Sequence, residues 1–257
     1  MSTVLVTGAS DGIGKETAAQ LLKLGHQVLL HGRSEARALA TVKALGGGTP
    51  VWGDLSVMGE VLKLAGQVRA LDILISNAGV YEDKRRLTAD GFESTMAVNH
   101  FSQMLLTLKL LPLLKASAAP RVVTVASGVH HGAQLDLGDL EISKGWSPYG
   151  SYSTSKLANV LFGAELAARE GAWLLSFSLH PGVISTKLLH KGFGGGGASL
   201  QSGALTSLHC ALAPGLDKQN GGYFSNGRPA GADTRAADTA FRKKFWDLSV
   251  KRLQAWL

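Results

Sequence analysis

Short, almost wholly apolar runs alternate along the whole chain with longer segments of helical periodicity, and this alternation limits the fold more than any other feature. Thr3–Thr7 (TVLVT), Gln27–His31 (QVLLH), Val51–Gly53, Asp72–Ser76 (DILIS), Arg121–Ala126 (RVVTVA), Trp173–Leu179 and Gly221–Phe224 read as strands. Between them, Gly14–Leu24, Ser34–Leu45, Ser56–Val68, Gly91–Leu114, Ser151–Arg169, Leu200–Leu212 and Thr234–Leu253 read as helices. Gly46-Gly47-Gly48 ends the second helix, and the Gly91 helix is expected to stop near Pro112 or soon after. Strands that are apolar at nearly every position are buried on both faces, which calls for a mostly parallel sheet with helices on both sides. The expected fold is therefore α/β, a doubly wound, mostly parallel seven-stranded sheet. At 257 residues and 45% hydrophobic, with no shift in composition along the chain, one domain covers residues 1–257. Residues 1–125 form mainly a cofactor-binding half. Residues 126–257 carry the catalytic residues and a substrate loop.

Ligands of such sheets bind beyond the carboxyl ends of the strands. The first strand ends in Thr7-Gly8-Ala9-Ser10-Asp11-Gly12-Ile13-Gly14 and leads into a helix. Gly8 permits the tight turn, Gly12 lets backbone approach a pyrophosphate, and Gly14 lets the helix lie close on the strand. The helix N-terminus then offers N–H groups and a positive dipole to the phosphates. The second strand ends in His31-Gly32-Arg33-Ser34, with no carboxylate until Glu35. A carboxylate there serves a ribose 2′-hydroxyl, whereas Arg33 presents a forked, permanent cation to a 2′-phosphate and Ser34 adds a hydroxyl. The cofactor read from this end is NADP(H). Asp54-Leu55 after the third strand are placed to contact adenine, and Asn77-Ala78-Gly79 after the fourth lie beside the cofactor.

Tyr152 and Lys156 stand one helical turn apart on one face at the start of a strong helix. A free phenol has a pKa near 10, and a neighbouring cation is expected to lower it into a range useful for acid/base work. Ser127 closes the fifth strand, where its hydroxyl can hold a substrate oxygen near the phenol. Asn99 lies within a helical stretch that disfavours Asn, and is expected to anchor a water leading to Lys156. His100, His130 and His131 show no metal-ligand spacing, and no metal is expected.

Taken together, Thr7–Gly14 (TGASDGIG), Asn77-Ala78-Gly79, Asn99, Ser127, Tyr152 with Lys156, and Pro181-Gly182 resemble the short-chain dehydrogenase/reductase family, over residues 1 to about 190. Gly12–Ala18, Ser155–Phe162 and Gly222-Tyr223-Phe224 resemble its retinol-dehydrogenase-like and protochlorophyllide-reductase-like branch. The resemblance implies a Rossmann fold and a catalytic tetrad of Asn99, Ser127, Tyr152 and Lys156. It also implies that Pro181, Gly182, Val183 and Thr186 line the nicotinamide, and that the branch prefers NADP(H). The expected activity interconverts an alcohol and a ketone or aldehyde, with reduction of a medium-to-large apolar carbonyl compound favoured by Leu188, Leu189, Phe193 and Leu200. Reduction of a conjugated C=C bond would use the same Tyr and Lys, and binding of NADP(H) without turnover would use the same cradle.

Residues 185–202, with the run Gly194–Gly197, are expected to form a lid. The net charge of +7 is spread without a run of five like charges, which argues against a nucleic-acid partner. A single cysteine, Cys210, excludes an intrachain disulfide and fits a reducing compartment. The sequence begins in a strand pattern without a signal core and has no membrane-spanning stretch, so a cytoplasmic location is expected. The apolar surface of helices 91–114 and 151–169 exceeds what one sheet face needs, and a homodimer or homotetramer through them is expected.

Overall fold

The computed structural model describes residues 1–257. In chain order the elements are β1 (Thr3–Val6), α1 (Gly12–Lys23), β2 (Gln27–Gly32), α2 (Glu35–Leu45), β3 (Thr49–Trp52), α3 (Met58–Gln67), β4 (Ile73–Ser76), α4 (Ser94–Met96), α5 (Ser102–Lys115), β5 (Arg121–Val125), α6 (Pro148–Glu170), β6 (Leu175–His180), α7 (Lys187–Phe193), α8 (Leu200–Leu212), β7 (Tyr223–Ser225), β8 (Arg228–Ala230) and α9 (Thr239–Leu253). A π-helical segment, Ala97–Phe101, joins α4 to α5.

The sheet has eight strands in the order β3-β2-β1-β4-β5-β6-β7-β8. All pairings are parallel except β7 with β8. The eighth strand corrects the expected seven. It forms a hairpin through Asn226 and Gly227, both at positive φ (52° and 68°), as a two-residue turn of the strand-matched kind requires. Pro229 within it is tolerated because the strand lies at the sheet edge.

The alternating faces of the strands define two cores. Leu5, Leu74 and Val122 pack with α3, α5, α6 and α9 on one side. Val4, Val6, Ile73, Ile75, Val123 and Val125 pack with α1 and α8 on the other. Fully burying each such side chain contributes roughly 1.5–3 kcal/mol. Cys210 belongs to the second core, and burial pushes its thiol up to about 12.

The long helix expected from Gly91 is interrupted. Gly91 has φ +79°, α4 begins at Ser94 under a Glu93 cap, and the turn around Asn99 widens to a π-helix before α5 resumes. Pro112 is carried inside α5, which ends three residues later at Lys115. The apolar surplus on these helices is taken up within the chain. Phe162 of α6 stacks on Trp246 of α9 at 5.6 Å and 9°. His100 lies 5.0 Å from Phe245, and Phe92 5.7 Å from Trp256. The last helix, α9, thus covers part of the apolar surface of α6. No helix is long and apolar enough to cross a membrane.

Candidate active site

The order of strands reverses between β1 and β4, and a cavity of about 810 Å³ opens there beyond their carboxyl ends. At one end it is lined by the turn after β1. Gly8 (φ +67°) and Gly12 (φ +55°) adopt left-handed conformations that glycine favours. A β-carbon at Gly14 would collide with the Gly8 carbonyl oxygen and the Asn77 amide, so the start of α1 can rest on this turn only as glycine. Asn77 Nδ2 donates to the Thr7 carbonyl oxygen at 2.9 Å, and the Asn77 and Ala78 N–H groups donate to Thr7 Oγ1 at 2.9 and 3.0 Å. The loops after β1 and β4 are thereby tied together.

Ser10, Ile13, Arg33, Asp54, Leu55, Ala78 and Gly79 line the cavity with the glycines, as do Pro181, Gly182, Val183 and Thr186 beyond β6. Ser34 does not; it stands at the start of α2 without a side-chain capping bond. Arg37, one turn along α2, takes a place on the wall beside Arg33 instead, and the sequence reading missed it. Asp54 accepts from the Ser56 N–H and hydroxyl, both at 2.8 Å, which orders the loop after β3. Asp11 caps α1 by accepting from Gly12 N–H at 2.8 Å, and it pairs with Lys187 of α7 at 2.6 Å. The Lys187 hydrogen bond holds this carboxyl below the usual range. Both partners are exposed, so the pair adds little stability. It shows how near the 187–193 helix comes to the glycine turn.

Ser127, Tyr152 and Lys156 meet at the other end of the cavity. Ser127 follows β5, and α6 presents Tyr152 and Lys156 because Ser147 caps it and Pro148 starts it ahead of the tyrosine. Lys156 Nζ donates to the Val125 carbonyl oxygen at 2.9 Å and sits 5.5 Å from the Tyr152 ring centre. Gly79 gives this end room: a β-carbon there would press to 3.3 Å from Asn99 Oδ1 and 3.4 Å from Lys156 Nζ.

Asn99 lies behind the wall, fully buried in the π-helical turn. Its Oδ1 accepts from Val80 N–H at 2.7 Å, and its Nδ2 donates to the Val80 carbonyl oxygen at 3.0 Å and to Ser155 Oγ at 2.9 Å. The amide braces the chain after Gly79 against α6.

The phenol runs against expectation. Burial pushes Tyr152 up to about 12, with a hydrogen bond from Ser127 drawing it partly back. Burial brings Lys156 down to about 8. The cause is an aromatic cover that leaves Tyr152 only 6% exposed. Phe193 at the end of α7 stands 5.9 Å from Tyr152 and 5.3 Å from Tyr81, and Tyr81 stands 5.4 Å from Tyr152. Removing water disfavours both charged forms more than the two groups favour each other. The packing of Tyr81 and Phe193 against Tyr152 was not legible from spacing, because the contacts join segments far apart in the chain.

The segment that carries α7 and the glycine run is closed at its base. Ser185 N–H donates to the Ala198 carbonyl oxygen at 3.0 Å, and Ala198 N–H donates to that of Val183 at 2.8 Å. Leu188, Leu189 and Phe193 face the cavity, whereas Leu200 does not.

The family model for short chain dehydrogenases matches residues 2–193. Human retinol dehydrogenase 12 is 37% identical over 278 aligned residues, covering 97% of this chain and 85% of that one. A crystal structure of an uncharacterized protein from Mycobacterium Paratuberculosis superposes with a TM-score of 0.85 at 32% identity, over 99% of this chain and 94% of that one. A short chain dehydrogenase from Escherichia coli CFT073 complexed with NADPH superposes with a TM-score of 0.69 at 25% identity, over 88% and 96%.

Proposed function

The chain belongs to the short-chain dehydrogenase family, on its retinol-dehydrogenase-like side, and from that premise we propose an NADP(H)-dependent enzyme that reduces a medium-to-large apolar ketone or aldehyde to an alcohol. One observation carries the reading: Ser127, Tyr152 and Lys156 line one end of a cavity whose other end is the Gly8–Gly14 cradle.

The residues present fit a nicotinamide dinucleotide. The positive-φ glycines and the collision that a β-carbon would cause at Gly14 leave backbone free to approach a pyrophosphate. Arg33 and Arg37 line the cavity and offer two cations to a 2′-phosphate. A relative complexed with NADPH supports that preference. Asn77–Gly79 and Pro181–Thr186 would flank the nicotinamide half. When bound, the reduced nucleotide supplies the hydride.

The chain's own residues handle the proton. The Ser127 hydroxyl donates a hydrogen bond to the carbonyl oxygen and holds it beside the phenol. A phenol pushed up to about 12 is neutral at physiological pH, so Tyr152 is a proton donor, which suits reduction. The Lys156 ammonium stabilises the phenolate left behind. Asn99 touches no reactant; it positions Val80 and Ser155 around the pair. Leu188, Leu189 and Phe193 give the apolar wall that selects the substrate class.

The test is consumption of NADPH and of NADH across a panel of apolar aldehydes, ketones and enones. Oxidation of NADPH, faster than NADH, with ketones or aldehydes is expected. Turnover confined to enones would replace carbonyl reduction with C=C reduction. Tight NADPH binding without any turnover would leave only a nucleotide-binding protein.

A further inference from the structure

His31, at the end of β2, is only 3% exposed, and its ring is used on both edges. Nδ1 accepts from the Gly8 N–H at 3.0 Å, and Nε2 lies 2.9 Å from the Gly53 carbonyl oxygen. A carbonyl oxygen only accepts, so Nε2 carries the proton and Nδ1 is bare. Both bonds exist together only in the neutral ring of that one tautomer. The backbone reinforces the link: Ala9 N–H donates to the His31 carbonyl oxygen at 3.0 Å, and Gly53 N–H to that of Gly32 at 3.2 Å. The imidazole therefore joins the first residue of the glycine turn to the strand end that leads into Asp54 and Leu55. These are the two loops that would meet the pyrophosphate and the adenine.

We propose that His31 is a positioning residue for the dinucleotide cradle, and that its protonation weakens nucleotide binding. The proposal rests on reading the cavity as a nicotinamide-nucleotide site. A charged ring would set an N–H against the Gly8 N–H, donor facing donor, and the turn would have to move. Burial holds the ring's pKa below the ordinary histidine value, and Asp54 beyond β3 is the charged group that opposes this. Arg33, Arg37 and Asp11 stand on the same cavity wall, from β2, α2 and the glycine turn. A rival effect has the opposite sign: a positive ring near phosphates would attract them.

Calorimetric titration with NADP⁺ and with ADP-ribose between pH 7.5 and pH 5 decides between the two. ADP-ribose lacks the 2′-phosphate, which itself titrates at about pH 6. The wild-type Kd for both ligands is expected to rise steadily toward the acid end, approaching roughly tenfold as the ring becomes charged, as loss of one hydrogen bond to a buried donor implies. His31→Asn offers Oδ1 to the Gly8 N–H without titrating. It should bind ADP-ribose more tightly than His31→Ala at pH 7.5 and show no acid weakening. His31→Ala should bind more weakly at every pH, also without a slope. A wild-type affinity for ADP-ribose that is flat or tighter at pH 5 overturns the proposal, as does a His31→Asn slope equal to the wild type's. If His31→Ala melts out, the wild-type and Asn profiles decide alone. A folded wild type that binds neither ligand at pH 7.5 removes the nucleotide reading itself, and this proposal with it.

Discussion

At the Gly8–Gly14 end of the cavity the wall is backbone, whereas at the Tyr152 end it is side chains. The first end has glycines at positive φ, and its charges, Arg33 and Arg37, stand at or near the surface. The second end packs Tyr81 and Phe193 at an angle against the Tyr152 ring, and burial moves the phenol and the Lys156 ammonium away from their ordinary pKa values. The contrast follows from the work each end does. A pyrophosphate needs N–H groups at close range and tolerates water around its charges. Proton transfer needs a defined donor in a dry setting, where electrostatic interactions are strong.

Tyr152→Phe challenges the division most severely. It should lower kcat by about 100- to 10,000-fold while leaving the NADPH Kd, followed by fluorescence titration, unchanged. A large change in Kd would mean the two ends are not separate. Arg33→Ala probes the open end. It should raise the NADPH Kd roughly ten- to a hundredfold by removing a charge-assisted bond, and leave the NADH Kd unchanged. Equal losses for both nucleotides would place Arg33 away from the 2′-phosphate. Phe193→Ala probes the aromatic cover. Water admitted to the phenol should bring its pKa from about 12 back toward its ordinary value. Reduction uses the protonated phenol, so rate is lost as pH rises through that pKa. The alkaline limb of the kcat/KM profile should therefore move to lower pH, with a smaller effect near neutrality. An unmoved limb would show that Phe193 does not keep the phenol dry.

The two ends also differ in how far they could be read from the chain. The glycine turn, Arg33 and the Tyr152–Lys156 pair depend on neighbours within a turn or two, so their spacing, read with the strand–helix pattern around it, pointed to them. Arg37 carries a similar local signal, one helical turn past Arg33, but the sequence reading did not weigh it. His31 could not be found that way. Its role exists only once β2 brings the ring between Gly8 and Gly53. Tyr81 and Phe193 likewise acquire their meaning from packing across long separations. The missed strand β8 had a legible turn, Asn226-Gly227, but only three residues with a central proline, too little for a periodic signal. The depressed phenol pKa expected from Lys156 failed for a related reason: spacing reveals a neighbour but not the dryness around it.

The covering of α6 by α9 has a consequence for the birth of the protein. Phe162, which packs on Trp246 from the last helix, lies nearly three turns beyond Tyr152 on the helix that bears the acid/base pair. While the ribosome still holds residues 239–257, that helix has its outer face bare, and the nucleotide half is already complete. Arrested nascent chains ending before Thr239 should retain nucleotide affinity sooner than turnover, and should bind a chaperone or a hydrophobic dye that the finished chain ignores.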